Sequence, residues 1–236
     1  MNVFDSSIIN FFHEFFGKSE LFDSTLALMA DNSLVKGGVV VSVLWFLWFK
    51  KNENAVYTRG RLIMGMLSCI IAVVVARSLA LSLPYRVRPY LNPALNFAQP
   101  IDKQVQPLDS WSSFPSDHAV MFFSLATCIF LISRRLGLWT YLYVFIFICF
   151  PRVYLGYHYP TDLLIGAVAG ILITIVLSTD RISRPIVRKA HQFETFSPGL
   201  FYAMLFLLTF QISTMFFESR GIVGFLVGLF HHQYVK

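Results

Sequence analysis

This sequence is short of charge. Asp, Glu, Lys and Arg make up 14% of its 236 residues, whereas about a quarter of a soluble domain is charged. Hydrophobic residues make up 56%, among them 25 phenylalanines, so a water-soluble fold would lack the polar side chains to cover its surface. The same abundance of apolar residues excludes a disordered chain. The composition therefore predicts an integral membrane protein.

Cysteine is also scarce. Its three copies, Cys69, Cys128 and Cys149, each lie inside an apolar run. They have neither the spacing of metal ligands nor that of a disulfide framework. We therefore predict that they pack in the interior.

Six apolar segments predict an all-α fold with six transmembrane helices. Some have apolar cores of only about 14 or 15 residues and reach across roughly 30 Å of hydrocarbon only with their polar ends. We expect residues 1–236 to form one membrane-embedded domain with an N-terminal segment (1–33), a six-helix bundle (34–217) and a short tail (218–236). The predicted segments are 34–49, 62–83, 117–133, 138–155, 162–179 and 199–217.

The N-terminal segment has a pattern of its own. Phenylalanines recur at near-helical spacing among five acidic residues in 1–31. This pattern predicts an amphipathic helix lying in the membrane interface, and the alternative is a helix packed on the bundle. Within the tail, residues 221–230 are candidates for a short re-entrant or interfacial piece.

The basic residues predict the orientation in the membrane. The net charge is +6, but ten of the 19 basic residues follow the first, third and fifth apolar segments. These alternate loops share one side, which the positive-inside rule assigns to the cytoplasm. The charge is thus explained without a nucleic acid partner, and both termini are expected outside. The ten residues are Lys50, Lys51, Arg59, Arg61, Arg134, Arg135, Arg181, Arg184, Arg188 and Lys189.

Two loops on the predicted outer side, 84–118 and 152–162, concentrate arginine, histidine, serine and aspartate. Arginine offers a planar fork of donors that matches phosphate oxygens. Ser116 precedes an apolar run in the position of a helix N-cap, where free backbone N–H groups bind anions. His118 follows in the same first turn. Such a combination of groups is suited to phosphoryl transfer.

His158 and Asp162 add a nucleophile. They are four residues apart with Pro160 between them, and proline favours the first turn of a helix. If the helix starts there, the Asp162 carboxylate can accept a hydrogen bond from one imidazole nitrogen and fix the tautomer. The other nitrogen is then free to attack.

Three motifs in these loops resemble the signature of the type 2 phosphatidic acid phosphatase superfamily, whose members are lipid phosphate phosphatases. The motifs occur in that family's order, and the resemblance spans about residues 62–179. Aspartate in place of the commoner glycine of the second motif resembles the bacterial undecaprenyl-diphosphate phosphatases. The three motifs are Arg88-Pro89, Pro115-Ser116-Asp117-His118 and Arg152-x5-His158-x3-Asp162.

The resemblance implies a role for each matching residue. His158 would be the nucleophile that forms a phosphohistidine, and Asp162 would orient it. His118 would protonate the leaving oxygen and then activate water. The family needs no cofactor and no metal. The residues that would hold the phosphoryl oxygens are Arg88, Arg152 and Ser116.

The sequence departs from the family pattern at two positions. Leu81 stands where the first motif has a lysine, and Pro151 stands where the third motif has a serine before its arginine. Arg77 and Arg86 are candidates to replace the missing lysine at the phosphate. The alternative for Arg77 is a structural ion pair or a hydrated gap, and for Arg86 a lipid headgroup contact.

Other hypotheses remain open at this point. A zinc site could use His118, His158 and Asp162, although it would leave the arginines without a purpose. Asp117 is a helix cap or lies near a diphosphate through water. A lipid transporter or scaffold would need the arginines but no nucleophile.

The expected enzyme hydrolyses a lipid-linked phosphate or diphosphate at the outer face of a bacterial inner membrane. The resemblance favours undecaprenyl diphosphate, converted to the monophosphate carrier of cell-wall synthesis. Phosphatidylglycerol phosphate, phosphatidic acid or a lipid A phosphate are alternative substrates, and a phosphotransferase would use the same site. Membrane lipids are the other expected partners, and the sequence does not indicate an oligomeric state.

Overall fold

The computed structural model of the chain describes residues 2–51, 53–95, 111–219 and 221–222, and all regular secondary structure among them is helical. Two short 3₁₀ turns, Pro89–Leu91 and Pro93–Leu95, follow the fourth helix. Most of the predicted tail lies outside the described residues. The helices are α1 (Val3–His13), α2 (Glu20–Asp31), α3 (Leu34–Phe49), α4 (Ala55–Ser82), α5 (Asp117–Ile132), α6 (Arg134–Tyr154), α7 (Pro160–Leu177), α8 (Asp180–Phe196) and α9 (Pro198–Ser213).

The helices differ in their ability to cross a bilayer. Within the described ranges, α4, α6 and α7 are long and apolar enough to cross alone, and α2 with α3, bent by 63°, would count as a fourth span. Helices α5 and α9 are apolar but shorter. Each predicted segment falls on one of these helices, so the all-α fold is confirmed with three or four candidate spans, and six spans stay a prediction.

Helix α5 lies at the centre of the bundle and packs against α4, α6 and α7. Glycines let α5 and α7 approach each other closely. A Cβ at Gly170 would lie 2.2 Å from the Val120 carbonyl oxygen, and one at Gly166 would lie 2.9 Å from the Ser116 carbonyl oxygen. The contact continues to the helix ends, where the Ser116 N–H donates to the Asp162 carbonyl at 3.2 Å. The starts of α5 and α7 are therefore held side by side.

The N-terminal segment forms two helices where the sequence predicted one. Helix α1 packs against the end of α6 and the start of α7, and α2 packs against α6 and α3. The rings of Phe12 and Phe150 meet edge to face at 5.4 Å, and Asp5 and Ile9 are buried. Both N-terminal helices therefore pack on the bundle, which is the alternative that the sequence left open beside a helix in the membrane interface.

At the opposite end of the bundle, the basic segment after α7 forms a helix of its own, α8. Glu194 on α8 accepts hydrogen bonds from Arg59 at 3.4 Å and from the Tyr202 hydroxyl at 2.9 Å. Arg61 donates to the Ser178 carbonyl at 2.6 Å. Arg59 and Arg61 are among the basic residues that predict the orientation, and these contacts connect α4 to α8 and to the residue just after α7. All three cysteines are free and buried, as predicted.

Candidate functional site

The motif residues come together at one end of the bundle. Ser116 is the N-cap residue of α5, with His118 in the first turn behind it. Arg152 lies in the last turn of α6, and the predicted helix start is present because α7 begins at Pro160. The loop before the first 3₁₀ turn brings Arg88 to the same place, where its guanidinium lies 3.4 Å from a nitrogen of His158.

The imidazole of His158 has a defined tautomer. Its Nδ1 lies 2.9 Å from the carbonyl oxygen of Ser113. A carbonyl oxygen can only accept, so Nδ1 carries the hydrogen and Nε2 carries the free electron pair. The nearest Asp162 oxygen is 3.7 Å from Nδ1, which is too long for a hydrogen bond. The predicted orienting contact from Asp162 is therefore made by the Ser113 backbone.

The Asp162 carboxylate is held by three donors. Its Oδ2 accepts the Ser113 hydroxyl at 2.5 Å and the Tyr159 N–H at 2.9 Å. Its Oδ1 accepts from Nη1 of Arg86. Ser113 thus contacts both Asp162 and His158, through its hydroxyl and its carbonyl. Sequence analysis missed this residue, because a serine two positions before a proline carries no signal of such a role.

Three buried donors at this site have no hydrogen-bond partner: Nε of Arg88, Oγ of Ser116 and Nε of Arg152. Nη1 of Arg88 and both Nη atoms of Arg152 bind backbone carbonyls. Arg88 donates to Tyr157 O at 2.8 Å, and Arg152 donates to Ile148 O at 2.7 Å and Ala30 O at 2.8 Å. A buried donor without an acceptor costs free energy. The site therefore offers donors to an anion with several oxygens, such as a phosphoryl group.

His118 is half-buried beside these groups. The positive charges of Arg152, Lys36 and Arg88 all act on it. Lys36, from the first turn of α3, was not singled out in the sequence, where it is only a lysine ahead of an apolar run. It adds positive charge to the site.

Arg77 and Arg86 both bind carboxylates. Arg77 contacts Asp117, the first residue of α5, through Nη2 at 2.5 Å and Nε at 2.6 Å. This ion pair is the structural alternative given above for Arg77, and the capping and diphosphate roles of Asp117 stay predictions. Arg86 bridges Asp162 and Asp5, a position that matches neither hypothesis for it.

No three His, Cys, Asp or Glu side chains converge as possible metal ligands within residues 2–51, 53–95, 111–219 and 221–222. Apart from Asp162, the groups around His118 and His158 are arginines, serines and Lys36. These side chains suit an anion better than a cation.

Burial at the site predicts how His158 titrates. Desolvation lowers the pKa of the His158 imidazole to about 4, from about 6.5 in water, and burial lowers the pKa of Arg88 below its usual value. The unfolded chain therefore binds more protons at His158 between these two values. The folding stability from this group is complete above pH 6.5 and falls as the pH drops towards 4.

We expect ¹⁵N-histidine NMR of the ligand-free protein in detergent to show His158 neutral, with its hydrogen on Nδ1, at pH 6. The titration midpoint should lie near pH 4. The His158→Ala variant identifies the signal by its loss. A midpoint near 6.5 would contradict the desolvation of the ring, and a hydrogen on Nε2 would contradict the hydrogen bond from Nδ1 to Ser113.

A family model described as the PAP2 superfamily matches residues 63–184, more than half of the chain. The fold and the motif residues agree with this match, and the chain belongs to that superfamily. With its long apolar helices, it is a membrane protein of the PAP2 superfamily.

Curated relatives and a solved structure resemble this chain. Lipid A 1-diphosphate synthase of Escherichia coli K12 is 26% identical over 175 residues, 72% of each chain. Bacitracin transport permease protein BcrC of Bacillus licheniformis is 41% identical over 61 residues, 26% of this chain and 30% of that protein. Putative undecaprenyl-diphosphatase YbjG of E. coli K12 is 44% identical over 61 residues, 25% of this chain and 30% of that one. A crystal structure of Aquifex aeolicus LpxE is 24% identical with a TM-score of 0.48, covering 72% of this chain and 92% of that one.

Proposed function

We propose that this protein hydrolyses a lipid-linked diphosphate through a phosphohistidine at His158, with undecaprenyl diphosphate as its substrate. One observation carries the proposal: the unprotonated Nε2 of His158 accepts a long contact of 3.4 Å from Nη1 of Arg88, beside three buried donors that lack a partner. A nucleophile next to unpaired anion donors is the arrangement that an in-line attack on a phosphoryl group requires.

The reaction has two steps. The electron pair of His158 Nε2 attacks phosphorus, the bond from phosphorus to the leaving oxygen breaks, and His118 donates its proton to that oxygen. Water then attacks the phosphohistidine, the P–N bond breaks, and the now neutral His118 takes a proton from the water. Arg88, Arg152 and Ser116 donate hydrogen bonds to the phosphoryl oxygens as their charge changes. The products are the lipid monophosphate and inorganic phosphate.

The names of the relatives support two candidate reactions, one a hydrolysis and the other a phosphoryl transfer. The 61-residue match to the protein named as an undecaprenyl-diphosphatase favours hydrolysis of undecaprenyl diphosphate. The longest alignment, to lipid A 1-diphosphate synthase, favours as a second candidate the transfer of the phosphoryl group to another lipid. Both reactions can begin with the same phosphohistidine, and they differ in what attacks it.

The proposed setting is a bacterial inner membrane crossed six times, with the site on its outer face. Support comes from the ten basic residues, which follow the first, third and fifth apolar segments. The motif loops follow the second and fourth segments. In a six-span topology these two sets of loops lie on opposite sides of the membrane. Lipid phosphates with buried apolar tails would then present their headgroups to the end of the bundle that holds His158.

Phosphate release from purified protein in detergent tests the proposal. The panel contains undecaprenyl diphosphate, phosphatidylglycerol phosphate, phosphatidic acid and a lipid A phosphate, each with EDTA present. We expect release from undecaprenyl diphosphate to be fastest. No release from any substrate would overturn the phosphatase mechanism, and loss of release on adding EDTA would favour the zinc hypothesis. Addition of a second lipid acceptor distinguishes transfer from hydrolysis.

A further inference from the structure

Asp5 of α1 is a fully buried carboxylate outside every motif. Its Oδ1 accepts the Thr161 N–H at 3.0 Å, and its Oδ2 accepts the Thr161 hydroxyl at 2.7 Å and Arg86 Nη2 at 2.7 Å. Carboxylates are rarely buried unless they are paired. Asp5 is thus bound to the first turn of α7, the turn that carries Asp162.

Arg86 connects Asp5 to Asp162. One guanidinium binds both carboxylates and stacks over the Tyr159 ring, with its Cζ 4.1 Å from the ring centroid. Asp162 and Arg86 alone would be neutral overall. With Asp5 the cluster carries one net negative charge, and both carboxylates are protected from water.

That net charge bears on His158. When Nε2 bonds to phosphorus, the ring becomes an imidazolium, and a nearby negative charge stabilises it. The charged and titratable groups that face the ring are Arg88 and Asp162, with His118 within electrostatic range. Arg88 is a cation beside the ring, so the negative charge of the cluster opposes it.

We propose that Asp5 is a positioning residue that acts through Arg86: it fixes Asp162 and supplies the negative charge that stabilises the His158 imidazolium. The inference rests on the proposed phosphohistidine mechanism. It makes α1 part of the catalytic apparatus, although the family match begins only at residue 63.

The test compares Asp5→Asn with Asp23→Asn. Asp23 is the matched control because it is also a buried carboxylate of the N-terminal helices, but it accepts from Tyr154 OH and Gly17 N and contacts neither Arg86 nor Asp162. We expect Asp5→Asn to lower kcat about 10- to 100-fold, with KM changed less than threefold. This is the usual range for residues that orient the groups in direct contact with the reacting atoms. Asp23→Asn should keep kcat within about threefold of the wild type.

Two further readouts separate positioning from a structural role. In ¹⁵N-histidine NMR, Asp5→Asn should move the His158 titration to lower pH, because the cluster of Asp5, Arg86 and Asp162 loses its net negative charge. Asp5→Glu keeps the charge and should recover at least part of kcat, and it carries the test if Asp5→Asn does not fold.

A folded Asp5→Asn with unchanged kcat and titration would overturn the inference, as would equal losses in both asparagine variants. A wild type without phosphatase activity would instead overturn the proposed function, and the NMR titration would still test the charge of the cluster.

Discussion

Replacing His158 by alanine is expected to abolish turnover, lowering kcat on the order of 10⁴-fold or more. The reason is geometric, because the hydrogen bond from Nδ1 to Ser113 O leaves Nε2 as the free nucleophilic nitrogen beside Arg88. No other histidine with this arrangement is present among the described residues. Phosphate release from the preferred lipid substrate measures the effect, and binding of orthovanadate shows whether the anion site survives.

The His118→Ala variant is the matched control for this loss. It keeps the nucleophile but lacks the proposed acid and base, a role that contributes about 10²- to 10⁴-fold. With a substrate that has a good leaving group, such as p-nitrophenyl phosphate, its phosphoenzyme should form and accumulate. Mass spectrometry after an alkaline quench should locate the phosphate on His158. Phosphate on another residue, or full turnover by His158→Ala, would disprove the nucleophile assignment.

Replacing Arg152 by lysine is expected to lower kcat/KM about 10²- to 10³-fold, the effect of losing one preorganised donor to a developing charge. The planar guanidinium binds two carbonyls, Ile148 O and Ala30 O, and still has Nε for a phosphoryl oxygen. A single ammonium cannot place donors at all three positions. Phosphate release and the Kd of orthovanadate measure the loss.

The Arg61→Lys variant is the control, since Arg61 also donates to a backbone carbonyl, Ser178 O, and to the Tyr57 hydroxyl. It lies at the basic end of α4, away from the motif residues, and should retain kcat/KM within about threefold. Equal losses in the two lysine variants would mean that Arg152 stabilises the helices and does not bind phosphate.

The sequence predicted the parts of the site that depend on local spacing. Ser116 and His118 share one helical turn, and Pro160 places the start of a helix between His158 and Asp162, so their proximity follows from short-range geometry. The number of membrane-spanning helices was harder to predict, because α5 and α9 have 16 residues each. Such a helix is about 24 Å long at 1.5 Å per residue. Length alone therefore leaves the number of crossings at three or four.

The sequence could not predict contacts that depend on tertiary structure. Asp5 is 156 residues from Thr161, and nothing in a run of phenylalanines indicates that its one aspartate faces inwards. Arg86 is predicted at the phosphate because it lies near Arg88 in sequence, but the sequence does not indicate its contacts to the two carboxylates. Ser113 contacts His158 through a backbone carbonyl, a group that every residue has, and its hydroxyl reaches Asp162 across 49 residues of sequence, so neither contact could be predicted from local spacing.

The contact between Arg152 and the Ala30 carbonyl has a consequence for protein engineering. A fragment or chimera cut where the family match begins, at residue 63, would contain every motif and lack α1 and α2. It would lose the acceptor for one Arg152 nitrogen and the Asp5 partner of Arg86. Grafts between relatives should therefore exchange residues 2–31 together with the motif loops, since the two parts form one unit of design.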